Sequence, residues 1–307
     1  MPLNTELAAF LNAIPRPPFQ GDPAVFRTQG REALKARPVM TPLPRVEDRT
    51  IPGPTGAPDL PVRLYAPSRD AALPVTVFFH GGGFCIGDIE THDPVARRLA
   101  DRAACLVVSV EYRLAPEHPF PAAHEDAYAA YAWVRTHAAE LGGDPERVAV
   151  AGDSAGATLA AAVCLMARDR GLRQPEFQLL WYPGTGLATD GRKTRTEDPL
   201  LPPGALEWFD EHYFSKITEE QRLPYGAIGL NEDLSGLAPA LVVVAGVDPL
   251  HDEGVAYADK LTASGVPTTL HDHPDMSHGF VSFADYVAPA ADATKDALAA
   301  LHTALAK

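Results

Sequence analysis

Cysteine is scarce in this chain of 307 residues: only Cys85, Cys105 and Cys164, without the spacing of a zinc ligand set or a disulfide framework. An odd, patternless set reads as reduced thiols in a cytoplasm, and Cys85 as a small hydrophobe rather than a nucleophile. Positive charge is also short, with 26 Lys and Arg against 40 Asp and Glu and a formal net charge of −14. That balance argues against nucleic-acid binding, which needs basic patches to neutralise phosphates, and a bulky polyanion would be repelled. No apolar run approaches the roughly 20 residues that span a bilayer. The opening Met1-Pro2-Leu3-Asn4-Thr5-Glu6 carries no basic and apolar leader, so a cytoplasmic protein with no membrane partner is expected. Patterns such as H-E-x-x-H are missing too, and no metal or cofactor is expected.

What is present is an apolar fraction of 46 %, ordinary for a chain that buries a core. The length suits one large α/β domain, or a core with a lid. Strands are expected at 62–66, 75–80, 106–110, 148–152, 179–182, 241–246 and 268–271. Helices are expected near 93–102, 122–137, 154–170, 253–264 and 290–306. Runs such as Leu106-Val107-Val108 and Leu241-Val242-Val243-Val244 are continuously apolar rather than alternating. Strands of that kind are buried on both faces, which predicts a mostly parallel central sheet flanked by helices.

Two segments depart from this rhythm. Apolar residues at helical spacing (Leu3, Leu7, Phe10, Leu11, Ile14) precede Pro15, Pro17 and Pro18, and a second helix is expected from Asp22 to Arg37. Residues 185–235 are rich in charge, proline and aromatics and offer no strand, too long a stretch for an ordinary connecting loop. The expected organisation is a core of 46–184 and 236–307, a helical cap at 185–235, and N-terminal helices (1–45) joining that cap.

The sharpest motif is Gly152-Asp153-Ser154-Ala155-Gly156, directly after the strand Arg147-Val148-Ala149-Val150-Ala151 and opening an Ala-rich helix. A serine on a tight strand-to-helix turn is forced above the sheet, and the flanking glycines remove Cβ atoms that would clash. The helix N-terminus offers free N–H groups to a developing oxyanion. A second motif, His80-Gly81-Gly82-Gly83-Phe84, ends the apolar strand Val75-Thr76-Val77-Phe78-Phe79. An HGGG-type loop is a known oxyanion donor beside such an elbow, which assigns the N–H groups of Gly82, Gly83 and Ala155 to that task. His80 reads as a structural anchor of the loop rather than a base.

Ser154 then needs an acid and a base, in the chain order Ser, Asp, His. Asp248 follows the strand 241–246 in Val247-Asp248-Pro249-Leu250, and His278 follows the strand 268–271 in His278-Gly279-Phe280. All three lie just beyond strands and can converge on one rim of the sheet. His271 and His273 are rival bases, but His271 sits inside a strand and His273 has no flanking glycine. Asp252 and Glu253 are rival acids, and Asp252 fits better as an N-cap of the following helix.

With these residues together, the chain resembles the hormone-sensitive-lipase-like family of bacterial esterases. The resemblance rests on His80–Phe84, Glu111-Tyr112-Arg113-Leu114-Ala115-Pro116-Glu117, Gly152–Gly156, Asp248–Leu250 and His278–Phe280, and is weakest in the N-terminal and cap segments. It implies an α/β-hydrolase fold with a helical cap and cofactor-free hydrolysis of short- to medium-chain acyl esters by a serine carboxylesterase triad. It also gives Glu111–Pro121 a supporting role beneath the site. Some relatives form dimers, so a homodimer is among the expected assemblies. An amidase or peptidase could use the same triad. A non-catalytic ligand receptor on this fold, as in some plant relatives, would have lost the base that His278 supplies here.

Overall fold

The chain is described from a computed structural model covering residues 2–14, 18–34, 38–69, 72–187 and 189–306. Pro15 and Pro17, expected to break the first helix, and the 35–37 end of the second lie outside the described residues. The described elements are α1 (Thr5–Asn12), α2 (Pro23–Leu34), β1 (Arg45–Ile51), β2 (Leu60–Ala66), β3 (Leu73–Phe79), α3 (Asp93–Ala103), β4 (Leu106–Val110), α4 (Ala122–His137), β5 (Gly143–Asp153), α5 (Ala155–Asp169), β6 (Gln178–Trp181), α6 (Gly191–Thr194), α7 (Ala205–Tyr213), β7 (Ala240–Ala245), α8 (His251–Ala263), β8 (Thr268–His273) and α9 (Ala288–Leu305).

The strands form one sheet in the order β1-β2-β4-β3-β5-β6-β7-β8, antiparallel at β1–β2 and β2–β4 and parallel from there on. This is the α/β-hydrolase fold. Its continuously apolar strands feed two cores at once. Leu106 and Val108 of β4, with Val242 and Val244 of β7, pack toward α4, α5 and α8. Val107, Leu241 and Val243 point the other way, into a second core built with α1, α3 and α9. Alternation of side chains along an extended strand makes such runs two-sided, so each apolar residue removes surface from water on one face or the other.

β1 escapes the sequence reading because its Arg45-Val46-Glu47-Asp48-Arg49-Thr50 face is charged and largely exposed. It exists as an edge strand by pairing residue for residue with β2, from Arg45↔Ala66 to Ile51↔Leu60. Charge on an edge strand also discourages pairing with another chain. β5 starts five residues before the expected position, at Gly143, where a register shift lies between the Leu73 and Val75 pairings.

The parallel strands run so that the ends of β3, β5 and β7, and the loop after β8, open on one edge. Within 185–235 the described regular helices are α6 and α7, with single turns at Glu220–Arg222 and Ile228–Leu230. Phe19 and Phe26 stack on each other at 5.5 Å and pack on the ring of Trp208 in α7, at 5.6 and 5.1 Å. The indole N–H of Trp208 donates to Gly21 O at 3.1 Å. Arg27 of α2 donates to Cys85 O at 2.7 Å and, through both terminal nitrogens, to Glu117 at 2.8 and 2.9 Å. The N-terminal segment thus lies against α7 and braces the glycine loop after β3.

Candidate active site

Ser154 stands between β5 and α5 with φ +54° and ψ −122°. That conformation costs an L-residue roughly 1–3 kcal/mol and persists only where neighbours over-determine it. Here they do: Ser154 N–H donates to Trp181 O at 2.8 Å, and Ser154 O accepts from Thr158 N–H at 3.1 Å. The turn also needs close backbone approach. A Cβ on Gly156 would sit 2.0 Å from Phe79 O, so only glycine lets α5 begin directly against the end of β3. Every residue of α5 from Ala155 to Ala167 is buried, which anchors the helix whose N-terminus underlies Ser154.

His278 and Asp248 meet Ser154 from the loops after β8 and β7. His278 Nε2 is 2.8 Å from Ser154 Oγ, and His278 Nδ1 is 2.6 Å from Asp248 Oδ2. With the proton on Nδ1, the ring donates to Asp248 and accepts from the serine hydroxyl. Asp248 is fully buried, and its other oxygen accepts from Leu250 N–H at 2.8 Å. Burial alone would lower the pKa of His278. The charge and hydrogen bond of Asp248, with Asp198 and Asp153 behind them, outweigh it and hold His278 above the ordinary histidine value. An imidazole tuned this way is a stronger proton acceptor.

The rival residues lie elsewhere. His271 and His273 are both in β8, and His251 occupies the oxygens of Asp252 and Asp272. Glu253 is buried and bound to Arg192 and to the N–H groups of Thr185 and Gly186. Asp252 is not the N-cap expected from its position. α8 begins two residues before the expected start, at His251, with Leu250 as N-cap, and Asp252 sits in the first turn bonded to Arg195 at 3.0 Å. The Asp248 turn closes sooner than a capping pattern suggests, which shifts the helix start.

The glycine loop faces Ser154 across the β3 end. Gly82 has φ +122°, and a Cβ there would meet Ile86 O at 2.1 Å. The loop folds back on itself through Cys85 N–H and Ile86 N–H, both donating to Gly82 O at 3.0 and 2.9 Å. Gly81 N–H is held by Asp153 Oδ1 at 3.0 Å. The N–H groups of Gly82, Gly83 and Ala155 find no acceptor among the described residues. His80 is buried, stacked on Tyr112 at 4.2 Å, and the Tyr112 hydroxyl donates to His80 O at 2.6 Å. Burial, helped by the charge of His92, pushes His80 down to about 4, so it stays neutral as part of the scaffold. Behind it, Ala115 N–H donates to Phe84 O at 2.9 Å and Glu111 accepts from Ile89 N–H at 2.8 Å. The stretch 111–115 therefore braces the loop directly.

Ser154 opens into a cavity of about 590 Å³. Gly83, Leu201, Leu206 and Phe209 line it apolarly, while Arg192, Asp210 and Arg222 give it a charged side. Cys85 does not compete for the chemistry. It is buried, and desolvation pushes its thiol up to about 12, so no useful thiolate fraction exists at neutral pH. No cluster of three or more His, Cys, Asp or Glu among the described residues is placed to hold a metal ion. None of the described helices is long and apolar enough to cross a membrane.

One residue at this site was not singled out from the sequence. Asp198, buried between α6 and α7, accepts from His278 N–H at 2.6 Å and from Leu200 and Leu201 N–H at 2.7 and 3.1 Å. Its burial, with the charge of Asp248 adding and His278 opposing, pushes the carboxyl up to about 6. A backbone partner leaves no mark in sequence. The available signal was a second Asp-Pro-Leu, repeating the one at 248–250.

Comparison with known proteins agrees with this architecture. A family profile described as the alpha/beta hydrolase fold matches residues 76–282. The carboxylesterase NlhH of Mycobacterium tuberculosis is 48 % identical over 278 residues, covering 89 % of this chain and 86 % of that protein. An ethyl acetate hydrolase of Pseudomonas putida is 34 % identical over 297 residues, 92 % of each. Among solved structures, a hyperthermophilic esterase from the archaeon Pyrobaculum calidifontis superposes with a TM-score of 0.92 at 40 % identity over 99 % of both chains.

Proposed function

The chain belongs to the alpha/beta-hydrolase family, as a carboxylic ester hydrolase of the hormone-sensitive-lipase-like kind, and we propose that it hydrolyses short- to medium-chain acyl esters through an acyl-enzyme formed on Ser154. The observation that carries the reading is the hydrogen-bond chain from Asp248 through His278 to Ser154, at 2.6 and 2.8 Å, on the wall of a cavity large enough for a small ester.

In this reading His278 Nε2 takes the Ser154 proton as Oγ bonds to the ester carbonyl carbon. The carbonyl oxygen gains the electron pair and is met by the N–H groups of Gly82, Gly83 and Ala155, which no other acceptor among the described residues engages. Collapse expels the alcohol, which leaves with the proton from His278. Water then attacks the acyl carbon with His278 again as base, and the carboxylic acid departs as Ser154 recovers its proton. Asp248 keeps the proton on Nδ1 and stabilises the imidazolium. Segment 185–235, joined by the N-terminal helices, acts as the cap that excludes water, and Leu206 and Phe209 of α7 form part of its inner face.

The test is a p-nitrophenyl ester series from acetate to laurate, with p-nitroanilides beside it, on the wild type and Ser154→Ala. Short and medium esters should turn over, anilides far more slowly, and the variant should fall to background, a loss of roughly 10⁶ in kcat by analogy with serine-triad knockouts. Faster anilide than ester hydrolysis would make the protein an amidase. An inert wild type would favour a binding pocket. A fully active Ser154→Ala would remove the triad.

A further inference from the structure

The tripeptide Asp-Pro-Leu occurs at 198–200 and again at 248–250, and both copies fold the same way around one histidine. In each, one carboxylate oxygen closes a turn on the amide two residues along. Leu200 N–H donates to Asp198 Oδ1 at 2.7 Å, and Leu250 N–H donates to Asp248 Oδ1 at 2.8 Å. The intervening proline has no N–H to compete and fixes its own φ, which favours this compact turn. The second oxygen is left free, and in both copies it meets His278 at 2.6 Å: Asp248 at ring Nδ1, Asp198 at the main-chain N–H.

From this duplication we infer that Asp198 is a positioning residue for His278, gripping the base through its backbone as Asp248 grips it through its ring. The inference rests on the triad reading above, in which His278 moves the proton. A purely structural turn would need one acceptor oxygen, which Asn or Ser supplies at no electrostatic cost. Asp198 is instead a buried carboxylate, 1 % exposed, whose hydrogen-bond donors among the described residues are the amides of Leu200, Leu201 and His278. A group so costly to bury is retained where its charge is used.

Its place in the chain gives the grip a second consequence. Asp198 belongs to the segment between α6 and α7, and Leu201, whose N–H it also holds, lines the cavity over Ser154. Leu200 packs beside Gly279, where a Cβ would lie 3.2 Å from its side chain. One carboxylate therefore joins the wall of the substrate cavity to the loop that carries the base. A shift of the wall is transmitted to the His278 main chain, and with it to the Nε2–Oγ distance.

The carboxylate also acts on the imidazolium formed during turnover. The ionisable groups facing His278 are Asp248, Asp198 and Asp153, and the Tyr182 ring packs on it at 4.6 Å; those facing Asp198 are Asp248 and His278. Removing the Asp198 charge withdraws one of the causes that raise the His278 pKa, so the acid limb of the rate profile should move to lower pH.

The experiment compares wild type, Asp198→Asn and Asp198→Glu on p-nitrophenyl butyrate across pH 5 to 9, with Ser154→Ala alongside. A phosphonate active-site titrant normalises the rates of the three proteins that keep Ser154 to competent folded sites, and Ser154→Ala is normalised to protein concentration. Asp198→Asn should lose roughly 10- to 100-fold in kcat with little change in KM, as a misplaced base does, and its acid limb should move down in pH. Asp198→Glu, which keeps the charge but not the reach, should lose rate while its acid limb stays near that of the wild type. If both variants match the wild type in rate per site and in pH profile, Asp198 positions nothing. If Asp198→Asn loses rate but keeps the acid limb, its charge does not reach the base and the inference fails in that part. Activity surviving in Ser154→Ala would instead overturn the triad reading itself, leaving the two failures distinct.

Discussion

Replacing Asp248 by Asn tests how much of the chemistry rests on the buried His278–Asp248 contact. The substitution is isosteric, and the introduced amide can still accept from Leu250 N–H as Asp248 does at 2.8 Å. What disappears is the charge facing Nδ1 at 2.6 Å in a site where both side chains are buried. Two unit charges about 4 Å apart at an effective dielectric constant near 20 attract by about 4 kcal/mol. The imidazolium exists only once the serine proton has moved, so that energy is lost in the transition state and not in the ground state, roughly three decades of kcat. The amide NH₂ also favours the tautomer with the proton on Nε2, which faces Ser154 Oγ and cannot accept, adding about another decade. The expected loss is thus ~10³–10⁴ in kcat with KM changed less than about threefold.

The pH dependence carries its own sign. Asp248 supplies both the largest charge effect and the hydrogen bond that raise the His278 pKa against burial. The wild-type acid limb should therefore lie above the ordinary histidine value, with rate lost as pH falls through it. The residual activity of Asp248→Asn should titrate at lower pH. The assay is p-nitrophenyl butyrate hydrolysis with active-site titration, and Asp252→Asn is the control, because Asp252 is engaged by Arg195 and His251. A kcat for Asp248→Asn within about tenfold of the wild type would mean that another group orients His278 and would refute the reasoning.

The glycine loop and the Asp198 carboxylate give two more tests. Gly82→Ala places a side chain at φ +122° with its Cβ 2.1 Å from Ile86 O, so the loop must shift and its N–H donors with it; kcat/KM should drop by roughly 10²–10³, and wild-type kinetics would show the loop is not the oxyanion donor. In the folded chain Asp198 holds its proton up to about 6, against an ordinary value of 3.8. The stability it contributes is therefore present when protonated and is lost as pH rises through 6. Asp198→Asn abolishes that slope, so its stability relative to wild type should grow by up to ~3 kcal/mol between pH 4 and 7. Urea midpoints read this directly, and a difference independent of pH would contradict the upward push that burial gives this carboxylate.

The parts of this molecule that sequence displayed are those whose cause lies in side chains. Two-faced apolar runs became the central strands because burial on both faces demands it, and the glycines around Ser154 were needed where a Cβ would lie only 2.0–2.2 Å from a neighbouring backbone oxygen. The order of Ser154, Asp248 and His278 was readable because each follows a strand, and strands of a parallel sheet end on one edge. What stayed hidden depends on main-chain partners or on pairing. β1 has a charged composition and becomes a strand only because β2 offers it a ladder. Arg27 reaches a carbonyl at Cys85, and Asp198 reaches an amide at His278; neither partner announces itself by residue type. The two Asp-Pro-Leu turns sharpen the point. They are identical as sequence, yet one carboxylate meets a ring nitrogen and the other a backbone nitrogen, a difference set by which loop each turn is hung from. Local sequence specified the turn and the free oxygen, while the topology of the sheet decided what that oxygen would touch.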